Sequence, residues 1–269
     1  MLEIDKNEWI RDAHLAIVKE LSDSFKNQQQ DSWSENYITT RMLIALLSLG
    51  QDIKWTSKKQ RVKWDSFKLK GKRETELGDI ALFIKAMLTS EVFLEGCVFY
   101  EAKRQYFDEG QNPLGFNSIK SGQLKRIQRV TTASNVLLYD VDINERKASA
   151  VSLPTVFVEK LINEAPLAIP GRILLNYGDF WVRSLAENLS GFGLDYTPDS
   201  VSKLKEILNS SDKPTHIINA STSMMDIIEP ELDNSFIPLG SYESLIQKPT
   251  PTPTLKENRD KKKQKRSKG

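Results

Sequence analysis

The chain of 269 residues has one cysteine, Cys97, two histidines, and no apolar run approaching the eighteen or so residues a membrane-spanning helix needs. A single thiol excludes an internal disulfide framework and a cysteine-rich zinc site, and is compatible with a reducing compartment. His14 and His216 lie far apart and show no metal-ligand spacing, so each reads as structural. There is no GxxxxGK[ST] loop, no GxGxxG after a strand and no GxSxG, which leaves nucleotide-driven, hydride-transfer and serine-esterase chemistry without a carrier. The first fifteen residues, MLEIDKNEWIRDAHL, lack a basic segment followed by an apolar one and do not read as a secretory signal. These features place the expected location in the cytoplasm, with no membrane partner.

What is present is a globular composition, 39% hydrophobic and 28% charged, with charge unevenly placed. Lys256 to Gly269 holds eight basic and two acidic side chains, a local +6, so the formal total of +2 leaves −4 on the other 255 residues. From Gln247 the chain is rich in Pro, Thr and Lys, a composition that buries too little apolar surface to fold alone. Residues 247–269 are therefore expected to be a disordered tail. Ahead of it, residues 151–246 are expected to form an α/β extension or interaction region.

Trp9, Ala13, Ile17, Leu21 and Phe25 recur at helical spacing, and a second helix runs through Ile38, Leu43 and Leu46 to end near Gly50. Gln51 to Arg73 is polar and basic and is expected to hold an exposed, edge-like strand. Its cations, among them Lys54, Lys58, Arg61, Lys63 and Lys70, alternate with Trp55 and Trp64, a mixture suited to gripping nucleic acid. Two apolar strands follow, one after Gly78-Asp79 and one ending in Tyr100-Glu101-Ala102-Lys103, with a turn expected between Thr89 and Gly96. Further on, a basic helix from Ser121, a strand over Asn135–Tyr139, helices at 155–163, 180–189 and 200–208, and a strand from His216 complete the reading.

Asp79 and Glu101-Ala-Lys103 carry the chemistry. Side chains alternate along a strand, so Glu101 and Lys103 share one face. Acidic-x-Lys occurs four times in the chain, at Asp52, Glu101, Glu145 and Asp260, and only at Glu101 does it close an apolar strand preceded by Gly-Asp and a second apolar strand. Unpaired charge at a buried strand end is costly, and a partner or a metal is expected there. Two hard carboxylates suit Mg²⁺ or Mn²⁺.

These residues resemble the PD-(D/E)xK nuclease superfamily, the restriction-endonuclease-like fold. The resemblance spans roughly residues 30–142 and rests on Gly78-Asp79-Ile80-Ala81-Leu82, Val98-Phe99-Tyr100-Glu101-Ala102-Lys103, the helix at Gly122-Gln123-Leu124-Lys125-Arg126 and the strand Val136–Tyr139. It implies an α/β fold with an α-β-β-β-α-β core in residues 1–150, its central mixed sheet flanked by helices. It further implies a metal-dependent nuclease, acting on DNA rather than RNA, in prokaryotic anti-phage or restriction defence, with a protein partner in a defence complex. In that case Asp79 and Glu101 bind Mg²⁺ or Mn²⁺, Lys103 orients or helps deprotonate the attacking water, Glu35 completes the metal shell and Gln123 is the glutamine of the RecB-like branch. Arg104, Lys120, Lys125, Arg126 and Arg129 are the expected nucleic-acid contacts. Other readings stand beside these: Glu35 as the second half of a Ser32–Glu35 capping box, Gln123 as an ordinary polar residue of a helix N-terminus, Asp79 and Glu101–Lys103 as a structural ion pair, the basic helix as a solvated face, and the chain as a non-catalytic nucleic-acid-binding or scaffold subunit.

Overall fold

The computed structural model describes residues 1–71, 78–164, 172–224 and 228–246. Among these residues ten strands form one mixed sheet. In chain order they are β1 (Leu2–Ile4), β2 (Asp52–Trp55), β3 (Gln60–Leu69), β4 (Ile80–Met87), β5 (Phe93–Arg104), β8 (Ser134–Asp142), β9 (Lys147–Pro154), β10 (Asp179–Phe180), β11 (His216–Met224) and β12 (Tyr242–Ser244). A separate two-stranded ribbon pairs β6 (Tyr106–Phe107) with β7 (Pro113–Gly115). The sheet order is β1-β2-β3-β11-β4-β5-β8-β9-β10, with β12 also on β3.

Strand alternation gives the sheet two apolar faces. On the first, Ile80, Leu82, Val98, Tyr100, Leu137 and Tyr139 pack under α1 (Lys6–Lys26), α2 (Glu35–Leu49) and α5 (Trp181–Leu189). On the second, Ala81, Phe83, Cys97 and Phe99 meet Ile127 of α3 (Ser121–Gln128) and Leu204 of α6 (Pro198–Ile207), while Val136 and Leu138 meet Leu124 of α3 and Val158 of α4 (Thr155–Glu164). The molecule is thus an α/β protein with a large mixed sheet flanked by helices. No helix among the described residues is long and apolar enough to cross a membrane.

The stretch read as an exposed, edge-like strand is instead interior. β3 carries β2 and β12 along one side and β11 along the other, and Val62 and Trp64 are fully buried. Its basic residues obscured the alternation, because Lys63 and Arg61 project from the opposite side of the pleat and are neutralised by Asp52 and Glu229. Trp55 and Trp64 are both 0% exposed, so neither is available to stack on a base. Lys72 and Arg73 lie outside the described residues, as does the tail from 247.

β4 and β5 form a long antiparallel hairpin whose turn occupies Leu88–Val92, a few residues earlier than expected. Length in both strands accounts for the 22-residue step from Asp79 to Glu101. The division expected near residue 150 falls within β9, and β11 runs between β3 and β4, parallel to β4. Residues on both sides of that point therefore build one sheet.

Candidate active site

The β4–β5 register pairs Ile80 with Tyr100, and the amide of Asp79 donates to the carbonyl of Tyr100 at 3.1 Å. Carried one residue further, that register sets Asp79 opposite Glu101 on the second face, where directly opposed side chains are nearest neighbours. One Asp79 carboxylate oxygen, Oδ2, accepts the amide of Ala102 at 2.8 Å. On the other side, β11 fixes the Asp79 backbone, with the amide of His216 donating to its carbonyl at 2.8 Å. Lys103 Nζ donates to Glu101 Oε1. The β4–β5 register thus brings two carboxylates and an ammonium together, with β11 holding the backbone of one of them.

Glu35 joins them from α2. The cap of that helix is Ser34, and Ser32 donates to the carbonyl of Ser24 instead, so the expected capping box does not form. Glu35 Oε1 accepts the amide of Arg104 at 3.2 Å and the hydroxyl of Ser118 at 3.4 Å, which anchors the helix start to the end of β5. One turn on, Thr39 bridges the Glu35 carbonyl and the Tyr139 hydroxyl.

The electrostatics follow from three carboxylates around one buried ammonium. Burial, then the charge of Glu101, raises the Asp79 carboxyl well above its ordinary range. Burial raises Glu101 too, with Lys103 pulling against it. For Lys103, burial favours the neutral amine, but the combined fields of Glu101, Glu35 and Asp79 outweigh it and hold the ammonium more firmly than usual. Lys103 is accordingly a charged donor in this state rather than a ready base.

Among the described residues no three His, Cys, Asp or Glu side chains form a ready-made metal cage. Two observations nevertheless fit a divalent cation. Glu101 is 1% exposed and its Oε2 has no hydrogen-bond partner, an arrangement that leaves a buried carboxylate oxygen uncompensated. Gly78, at φ +98°, leaves open the space beside that atom: a Cβ there would fall 2.7 Å from Glu101 Oε2 and 2.4 Å from Phe99. Asp79 and Glu101 are the residues able to hold the ion, with Glu35 adding negative field.

Comparison with protein-family models, curated proteins and solved structures finds no match.

The remaining expected site residues divide. Arg126, on α3, contributes a positive field at Glu101. Gln123 lies one turn before it, partly buried, and its side chain makes no hydrogen bond to Glu35, Asp79, Glu101 or Lys103. Lys120 and Arg129 are exposed at the two ends of α3, Lys125 pairs with Glu159 at 3.5 Å, and Arg104 lies over the Tyr106 ring. Cys97 is buried and its thiol is pushed up to about 11 by that burial, which leaves it inert. His14 packs on Phe180, and His216 Nε2 lies 2.9 Å from the Thr40 hydroxyl. A cleft of about 760 Å³ lined by His14, Val18, Asp142, Arg172 and Phe180 opens off the β9–β10 edge and contains none of the three carboxylates. Convergent charge, not depth, marks the candidate site.

Sequence reasoning passed over Gln105. It lies two residues beyond Lys103, just past the end of β5, and is 0% exposed with neither side-chain atom partnered. A polar residue at the next same-face position after Glu101 and Lys103 was the available signal.

Proposed function

We propose that the chain is a Mg²⁺- or Mn²⁺-dependent nuclease that hydrolyses phosphodiester bonds, in DNA rather than RNA, in a prokaryotic anti-phage or restriction setting. The observation that carries the reading is the meeting of Asp79, Glu101 and Lys103 at one strand end, with a buried Glu101 oxygen lacking a partner.

A divalent ion, when bound, polarises the phosphoryl oxygen and makes its water a better nucleophile. Asp79 and Glu101 would hold that ion, whose charge would offset the cost of keeping two buried carboxylates ionised side by side. Lys103 remains an ammonium and donates to the attacking water or to a phosphoryl oxygen, stabilising the charge that builds as the new P–O bond forms and the old one breaks. Arg126 on α3, with Lys120 and Arg129 flanking its two ends, supplies phosphate attraction beside it.

The purified chain should cut DNA in the presence of Mg²⁺ or Mn²⁺, and Lys103→Ala should abolish cutting while the protein still melts cooperatively. Calorimetry should show Mn²⁺ binding that Asp79→Ala and Glu101→Ala remove. Cleavage that persists in Lys103→Ala refutes the assignment. Nucleic-acid binding with neither cleavage nor metal uptake would make the chain a scaffold subunit.

A further inference from the structure

The backbone of Gln105 is pinned on both sides. Its amide donates to the Tyr139 carbonyl at 2.9 Å, and its own carbonyl accepts Trp33 Nε1 at 2.8 Å. The parallel β5–β8 register pairs Lys103 with Leu138 and Arg104 with Tyr139, so the next pair in line is Gln105 with Asp140, both on the second face. Asp140 is 1% exposed; its Oδ2 is held by Arg172 at 2.6 Å and its Oδ1 has no partner. Gln105 therefore lies just past the end of β5, two residues beyond Lys103, where its amide bond to Tyr139 carries the register one step on toward Asp140, and its amide oxygen and nitrogen are both unsatisfied.

Burying a carboxamide with neither atom bonded destabilises the fold, and a leucine or methionine would fill the same volume without that cost. The polar atoms are thus suited to a state of the site other than the one in which Lys103 is held by Glu101. Same-face residues two apart along a strand are close enough for a lysine and a glutamine side chain to meet.

We propose that Gln105 is a positioning residue for Lys103: when Glu101 turns to a divalent cation, Lys103 Nζ donates to Gln105 Oε1, and Gln105 Nε2 donates to Asp140 Oδ1, itself anchored by Arg172. Donor and acceptor match at each contact, and the amide orientation is fixed by its two neighbours. This rests on the metal-dependent reading above. It extends that reading by explaining how the ammonium stays aimed at the reacting phosphate after its carboxylate partner has gone to the ion.

The test uses the full chain and Gln105→Met, close in volume and without an acceptor. In the metal-free protein this variant should melt at the same temperature as the parent or slightly above it, since an unsatisfied amide has been removed. A fall of more than a few degrees would show the carboxamide to be structural and overturn the proposal. With Mg²⁺, the side-chain ammonium resonance of Lys103, followed by ¹⁵N NMR, should shift and remain protected from solvent exchange in the parent. In Gln105→Met it should lose that protection at unchanged Mg²⁺ affinity, and kcat should drop about 10–100-fold with KM unaltered. The double exchange Gln105→Glu with Asp140→Asn, which reverses donor and acceptor across that contact, should restore protection. An identical Mg²⁺ response in parent and Gln105→Met overturns the role of Gln105 alone, whereas no response in the parent overturns metal binding itself and this inference with it.

Discussion

Gly78→Ala tests the geometry of the site without touching a charge. The new Cβ would stand 2.4 Å from Phe99 Cε1 and 2.7 Å from Glu101 Oε2, distances at which something must move, and the backbone at φ +98° resists any residue with a Cβ. Left-handed backbone costs a non-glycine residue about 1–2 kcal/mol, and overpacking a filled site adds about 1–3 kcal/mol, giving about 2–5 kcal/mol in all. At roughly 2–4 °C per kcal/mol for a chain of this size, the midpoint of thermal unfolding should fall by about 4–20 °C, measurable by circular dichroism or calorimetry. Adding Phe99→Leu should recover the part due to ring overlap and leave the backbone part. The double variant should still lack the stabilisation that Mg²⁺ gives the parent, because the Cβ continues to crowd the Glu101 oxygen. A fall of less than about 2 °C in Gly78→Ala, with Mg²⁺ stabilisation intact, would refute the placement of Gly78 against Glu101.

Burial lowers the His216 imidazole to about 3, so the native ring stays neutral while the unfolded one gains a proton below its ordinary 6.5. Its stability contribution is complete above pH 6.5 and is lost as pH falls toward 3, at about 1.4 kcal/mol per pH unit, and urea titrations of His216→Gln should lack that slope. Asp79 has the opposite sign: with its carboxyl raised by burial and by Glu101, it costs stability as pH rises above its unfolded value near 3.8. Asp79→Asn should therefore raise the metal-free melting temperature at pH 7–8, with the gain vanishing near pH 4 and Mg²⁺ no longer stabilising the protein. Lys120→Glu with Arg129→Glu should weaken DNA binding and flatten its dependence on salt by up to about two counterions, as fluorescence anisotropy across a salt series would show.

Much of the fold was legible because helix and strand periodicities are strong where one face is buried. Trp9, Ala13, Ile17 and Leu21 mark α1, and the apolar runs before Tyr100 and through Val136–Tyr139 mark two central strands, since each of these residues is buried in the sheet's core. β3 was misread because its outward Lys and Arg are matched by acids distant in sequence, Glu229 among them, which a local reading cannot supply. The capping box at Ser32–Glu35 failed for a related reason. Its four-residue pattern is local, whereas the Arg104 amide and Ser118 hydroxyl that hold Glu35 come from about seventy and eighty residues further along.

The placement of β11 decides what kind of object the site is. A nuclease-like core in residues 1–150 would hold Asp79 by the β4–β5 hairpin alone, but here β11 occupies the position between β3 and β4, and the His216 amide holds the Asp79 carbonyl. The same histidine sits 2.9 Å from Thr40 on α2, the helix that brings Glu35 to the cluster. One residue beyond position 200 therefore ties together the strand carrying one carboxylate and the helix carrying another. No short motif reports such a tie, because it is made by a backbone amide and a neutral buried ring, neither of which has a sequence signature. The carboxylate geometry is thus a property of the complete sheet, and ending the chain near residue 150 would remove β11 along with the backbone partner of Asp79.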